Sequence, residues 1–137
     1  MNKIAVVFWS GTGNTEAMAA AVAEGAGPGA ELIPATAFDP AALANYDGFA
    51  FGCPSMGAEQ LEESEFEPMF TACEGRLSGK NIALFGSYGW GDGEWMRSWE
   101  SRCNDDGANL ACDSVICNEA PDDDALAACR ELGASLA

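Results

Sequence analysis

The chain opens with an unbroken apolar run, Ile4 to Trp9. The run stops at Ser10-Gly11-Thr12-Gly13-Asn14-Thr15 and passes into an alanine-rich helical segment. Few folds accept this succession. The apolar run reads as a buried strand, and a loop that follows a strand and opens a helix presents several backbone N–H groups together. The helix dipole adds partial positive charge at the same point, so the turn suits a phosphate. Gly11 and Gly13 let the backbone turn tightly, while Ser10, Thr12, Asn14 and Thr15 can donate from their side chains. A triphosphate loop would need Gly-Lys-Ser/Thr, and no lysine occurs between Lys3 and Lys80. A dinucleotide loop would need a small residue where Glu16 stands and an acid near Ile33-Pro34-Ala35-Thr36. A less charged phosphate ester, held by neutral donors, is the expected ligand.

The rest of the chain repeats the alternation of strand and helix. A helix is expected from Thr15 to about Gly25, a strand from Glu31 to Ala35, and a short helix opened by Asp39-Pro40 and running to about Tyr46. Gly48 to Cys53 reads as the third strand, Glu63 to Cys73 as a helix and Asn81 to Ser87 as the fourth strand. Gly93 to about Asp106 is a helix carrying Trp95, Met96 and Trp99, and Asn109 to Cys117 is the fifth strand. A last helix spans Asp122 to Leu136, with an acidic first turn that complements its dipole. The expected fold is α/β, a parallel sheet with helices on both faces. Ligands of such sheets bind beyond the carboxyl ends of the strands. Three loops, Ser10–Thr15, Pro54–Gln60 and Tyr88–Gly93, should therefore line one edge.

With 137 residues, 48% of them apolar, there is room for one domain around a single core. The net charge of −16, from 22 acids and 6 bases, argues against nucleic acid or an anionic membrane as partner. No histidine is present, which removes Ser-His and Cys-His catalysis and histidine metal sites. The six cysteines form no CxxC pair and read as reduced thiols. Cys112 and Cys117, an odd distance apart in one expected strand, should face opposite ways and share no metal. Without a membrane-length apolar run or a leader before the first strand, a cytoplasmic protein is expected.

The second loop, Pro54-Ser55-Met56-Gly57-Ala58-Glu59, sets a polarizable thioether, a flexible glycine and a carboxylate in sequence. In the third, Ser87-Tyr88-Gly89-Trp90-Gly91-Asp92, a tryptophan flanked by glycines is poorly placed for core packing and suits a planar partner. Met56 and Trp90 can sandwich a flat ring while the first loop takes its phosphate, and Glu59 can accept from a ring N–H.

These loops, with Leu84-Phe85-Gly86-Ser87 and Glu94-Trp95-Met96-Arg97, closely resemble the flavin-binding segments of flavodoxins, the short-chain clostridial type above all. The resemblance covers essentially the whole chain. It implies a five-stranded sheet of order 2-1-3-4-5 with FMN at the switch point, which is a property of the family and not a reading of the pattern. It implies that Ser10, Gly11, Thr12, Gly13, Asn14 and Thr15 hold the FMN phosphate, with Ser87 assisting and Ser55 near the ribityl chain. Met56 would flank the inner face of the ring and Trp90 the outer. Glu59 would accept from N3–H, and the N–H groups of Gly89 and its neighbours, Tyr88 and Gly91, would meet the pyrimidine oxygens. The Met56–Gly57 peptide would turn on one-electron reduction, so that its carbonyl meets the new N5–H. Ala58 and Pro54 depart from the residues common at their positions.

The implied role is a low-potential one-electron carrier, cycling FMN through quinone, semiquinone and hydroquinone as a monomer between larger redox enzymes. The segment Glu59 to Glu67 carries five acids in nine residues. Each exposed charge about 10 Å from the ring is worth roughly 0.4 kcal/mol, or about 20 mV for one electron, against a reduced anionic flavin. The same acids would meet basic partner surfaces weakly and transiently. An FMN-dependent oxidoreductase acting on a nicotinamide or quinone is the alternative; it needs space above the ring that Trp90 would occupy.

Overall fold

The computed structural model describes residues 3–57 and 59–137. The first strand, β1 (Ile4–Phe8), passes through the phosphate-type loop into α1 (Asn14–Ala26). Next come β2 (Ala30–Pro34), two 3-10 turns (Ala35–Ala37 and Pro40–Asn45) and β3 (Gly48–Gly52). The segment opened by Asp39-Pro40 is thus a 3-10 turn, capped by the Asp39 carboxylate on the Ala41 N–H at 2.9 Å. After it follow α2 (Phe66–Glu74), β4 (Asn81–Tyr88), α3 (Glu94–Asp105), β5 (Asn109–Leu110), β6 (Val115–Asn118) and α4 (Asp123–Leu136). All the strand pairs are parallel, in the order β2-β1-β3-β4-β5, with β6 also on β4.

The single fifth strand expected over 109–117 is therefore two short pieces. Leu110 lies opposite Ile82 and Val115 opposite Phe85, so four residues fill a gap that β4 crosses with two. The surplus must leave the sheet, and Ser114 at its end donates to Glu100 at 2.7 Å. The bulge also changes where the cysteines face. Cys112 and Cys117 both pack on the α1/α4 side, against the opposite-face expectation, because the extra residues interrupt the alternation.

The central strands β1, β3 and β4 bury both faces, while β2, β5 and β6 are partly exposed. Ala5, Val7, Phe49, Phe51, Ile82 and Leu84 point into one core with Phe66, Phe70, Trp95 and Trp99 of α2 and α3. Ile4, Val6, Phe8, Ala50, Ala83 and Phe85 point into the other, beneath α1 and α4. Those two helices touch through backbone. A Cβ on Gly133 would lie 2.0 Å from the Val22 carbonyl oxygen, and one on Gly25 would lie 1.9 Å from that of Arg130. This contact holds α1, and with it the loop at its start, against the carboxyl end of the sheet.

Candidate functional site

The first loop is shaped by its own side chain. Ser10 Oγ accepts the Gly13 N–H at 3.0 Å, and Gly13 enters the helix at φ 96°, a conformation that favours glycine. The Ser10 hydroxyl proton stays available for donation. A carboxylate reaches the leading N–H groups of each of the other three α-helices: Glu62 on α2, Glu59 on α3 and Asp122 on α4. α1 has no side-chain cap. Thr15, in its first turn, is buried to 1% exposure, and its Oγ1 has no hydrogen-bond partner among the described residues. An open helix N-terminus beside an orphaned buried hydroxyl is an incomplete polar site whose donors suit an anionic group.

Beside this loop is a cleft of about 240 Å³ lined by Trp9, Gly11, Thr12, Asn14, Pro54, Ser55, Met56, Ser87, Tyr88, Gly89 and Glu119. A larger groove of about 550 Å³ runs between β6 and α4. Asp122 and Asp124 line it, acids that oppose a phosphate, so the smaller cleft is the candidate site. The first, second and third loops meet in it, tied by the Ser55 N–H donating to the Ser87 carbonyl at 2.9 Å. The Ser87 hydroxyl donates to the Glu119 carbonyl at 2.8 Å, so its proton is already engaged.

In the second loop, Met56 and Gln60 pair as an isolated antiparallel bridge. The Met56 carbonyl accepts the Gln60 N–H at 3.0 Å, so turning the Met56–Gly57 peptide would break this rung. Gly57 sits at φ 52°, and its own carbonyl meets no backbone donor among the described residues. The expectation placed on Ala58 lies outside the described residues. Glu59, also at positive φ, accepts the Glu94 N–H through Oε1 at 3.2 Å, which leaves Oε2 to accept elsewhere.

Only part of the acidic stretch faces outward. Glu62 is 6% exposed. It accepts from the N–H groups of Ser64, Glu65 and Phe66 and from the Ser64 hydroxyl. Burial pushes its carboxyl up, but these bonds outweigh it and hold the group below the usual carboxylate range. This cap also explains why α2 starts at Phe66 and not at Glu63. Glu67 is held low chiefly by Arg102, which bonds it at 2.8 and 2.6 Å. Of the five acids, then, Glu67 is the one paired with a cation among the described residues, and Glu59, Glu62, Glu63 and Glu65 keep an uncompensated charge.

Trp90 is 64% exposed and Met56 37%. Ser10, Gly13, Thr15, Gly57, Glu59, Trp90 and Gly91 stand outside the lining of the cleft, whereas Gly11, Thr12, Asn14, Ser55, Met56, Ser87, Tyr88 and Gly89 belong to it. Trp9 and Glu119 were not expected there. Trp9 ends the first apolar run, and its indole donates to Glu65 at 2.8 Å. Glu119 follows the carboxyl end of β6, so the rule that placed the other three loops on this edge also covers it. Cys53, at the end of β3, is fully buried, and burial pushes its thiol up. Its sulfur accepts the Glu62 N–H at 3.3 Å, a packing role. Among the described residues no cluster suits a metal ion, and no helix is long and apolar enough to cross a membrane.

The flavodoxin family model, "Flavodoxin", matches residues 6–133. The chain is 44% identical over 137 residues to the flavodoxin of Megasphaera elsdenii, covering 98% of each. It is 44% identical over 135 residues to that of Clostridium beijerinckii, covering 96% of this chain and 97% of the other. The solution structure of two-electron reduced M. elsdenii flavodoxin superposes with a TM-score of 0.88 at 43% identity, over 97% of both chains. The chain belongs to the flavodoxin family of short-chain type, and it is an FMN-binding electron carrier whose work is electron transfer and not catalysis.

Proposed function

We propose that this single domain holds FMN with its phosphate on the Ser10–Thr15 loop and its ring between Met56 and Trp90. The observation that carries this placement is the uncapped start of α1 beside the orphaned Thr15 hydroxyl. FMN supplies one-electron chemistry when bound. The chain's part is to bind, orient and bias it. Backbone N–H groups of Asn14, Thr15 and Glu16, with the Ser10, Thr12 and Thr15 hydroxyls, take the phosphate without a positive side chain. Ser55 and Asn14 line the path toward the ring. Glu59 offers its remaining oxygen to the ring N3–H, and its Glu94 bond fixes that orientation. At the second loop the Gly57 carbonyl, which meets no backbone donor among the described residues, is the acceptor that would turn toward a ring nitrogen, and glycine there makes the turn cheap.

The cleft is smaller than the roughly 300 Å³ at which a drug-sized ligand is enclosed, so part of a flavin held here stays at the surface. Electrons pass at that exposed edge. Glu59, Glu63 and Glu65 around it favour basic partner surfaces and short-lived, salt-sensitive complexes. Large exposed apolar side chains are few, and Leu32 and Ile116 lie on opposite edge strands, which supports a monomer. Six free thiols fit a reducing, cytoplasmic compartment.

The test is an anaerobic reductive titration of the purified protein, followed by absorbance, with transfer to a basic-surfaced redox protein measured across ionic strength. Reduction in two separate one-electron steps and transfer that slows as salt rises are expected. A single two-electron bleaching would overturn the one-electron reading, and transfer indifferent to salt would overturn the partner reading.

A further inference from the structure

The third loop has a problem that its sequence creates. Gly89, Gly91 and Gly93 surround Trp90 and Asp92, and Gly91 and Gly93 both sit at positive φ, 87° and 93°. Burial does not hold the indole, since Trp90 is 64% exposed. A loop this rich in glycine has high conformational entropy, so its order must come from fixed points at its ends.

One end is anchored where the Glu119 N–H donates to the Tyr88 carbonyl at 2.8 Å. At the other end the Gly93 carbonyl accepts from the Met96 and Arg97 N–H groups of α3, and one side chain carries that anchorage back to Asp92. Arg97, on the first turn of α3, donates through Nη1 to the Asp92 carbonyl at 3.1 Å and through Nη2 to the Asp92 carboxylate at 2.9 Å. The same guanidinium donates to Glu94 Oε2 through Nη2 at 2.7 Å and through Nε at 3.2 Å, which fixes its own orientation. Between these two posts only Gly89, Trp90 and Gly91 are left to span.

We propose that Arg97 is a positioning residue for Trp90: its guanidinium fork clamps Asp92 and so holds the indole at the edge where the flavin ring lies. The proposal rests on the FMN placement above for its functional meaning. The fork is essential, because a lysine ammonium cannot reach a carbonyl and two carboxylates in fixed directions. The charge is a second contribution. Asp92 and Glu94 stand beside the ring's edge, and Arg97 neutralises part of a field that opposes the second electron.

The test uses uniformly 15N-labelled wild type, Arg97→Lys and Arg97→Gln, each supplied with FMN. Arg97 is half exposed and lies outside both cores, so the variants should fold. Relaxation at the Trp90 indole and at the amides of residues 89–92 is expected to fall in both variants, from order parameters of about 0.85 toward 0.6 or lower. Potentiometry separates the charge from the fork. The equilibrium constant for the second electron should drop about twofold in Arg97→Gln, while Arg97→Lys stays near wild type. Unchanged order at residues 89–92 in both variants would overturn the clamp. Equal second-electron constants in all three proteins would overturn the charge contribution. Failure of wild type to take up FMN would instead strike the cofactor placement, and relaxation on the same samples would still judge the clamp.

Discussion

Met56 and Gln60 exchange both of their backbone hydrogen bonds, at 2.8 and 3.0 Å, so the turn between them is closed at its base. Strain introduced into that turn has nowhere to spread. Gly57, at φ 52°, is where it would enter. Replacing Gly57 by Ala should destabilise the protein by about 1 kcal/mol, as a Cβ in the left-handed region does. Gly57→Asn should lose less than Gly57→Ala, because Asn tolerates that region. Urea unfolding of the two variants beside wild type checks the order, and equal losses would exclude backbone strain as the cause.

Thr15 gives a prediction with opposite signs in two measurements. Its hydroxyl is buried and unpaired in the protein alone. Thr15→Val removes a polar atom without changing shape, so unfolding without FMN should be unchanged or slightly harder. FMN affinity should fall about tenfold or more, the loss of one hydrogen bond to a charged group of about 1.5–3 kcal/mol. Fluorescence titration with FMN measures the second effect, and loss of both stability and affinity together would mean that Thr15 only packs.

Asp106 caps the C-terminal end of α3, with Oδ2 buried and without a hydrogen-bond partner among the described residues. Burial, with the Glu74 carboxylate beside it, pushes its carboxyl up to about 6. In the unfolded chain the group titrates near 3.9, so folding favours its protonated form. Whatever it contributes is therefore present below about pH 4 and lost as the pH rises through 6. Asp106→Asn should melt higher than wild type at pH 7, and the difference should vanish below about pH 4. A difference that stays constant across that range would show that charge is not its source.

The α1–α4 contact predicts a large effect far from the cleft. Gly133→Ala would put a methyl 2.0 Å from the Val22 carbonyl oxygen and 2.8 Å from the Ala26 nitrogen, which backbone cannot relieve by a rotamer change. A loss of about 3 kcal/mol is expected. FMN affinity should weaken too, since α1 carries the phosphate loop. Gly75→Ala is the control, because nothing lies within 4 Å of its added methyl. Comparable destabilisation in both variants would mean that helix-end effects, not interhelical packing, dominate.

The alternation of strands and helices, the three loops on one edge and the donor-rich turn were legible in the amino-acid sequence. Each is written in residues next to one another, and neighbouring residues decide local backbone geometry. The fate of individual charges was not legible. Glu67 reads as one more exposed acid until the fold brings it onto Arg102, 35 residues away. Glu62 reads likewise until it turns inward onto the start of α2. The break in the last strand follows from counting residues against β4, a register that exists only once the strands pair. The same holds for Glu59 on α3 and for Gly133 against Val22. Local pattern determined which elements form and which three loops gather at one edge of the sheet. Contacts between segments distant in the chain decided which charges stay unpaired and how tightly those loops are held, because burial and pairing are properties of the packed structure.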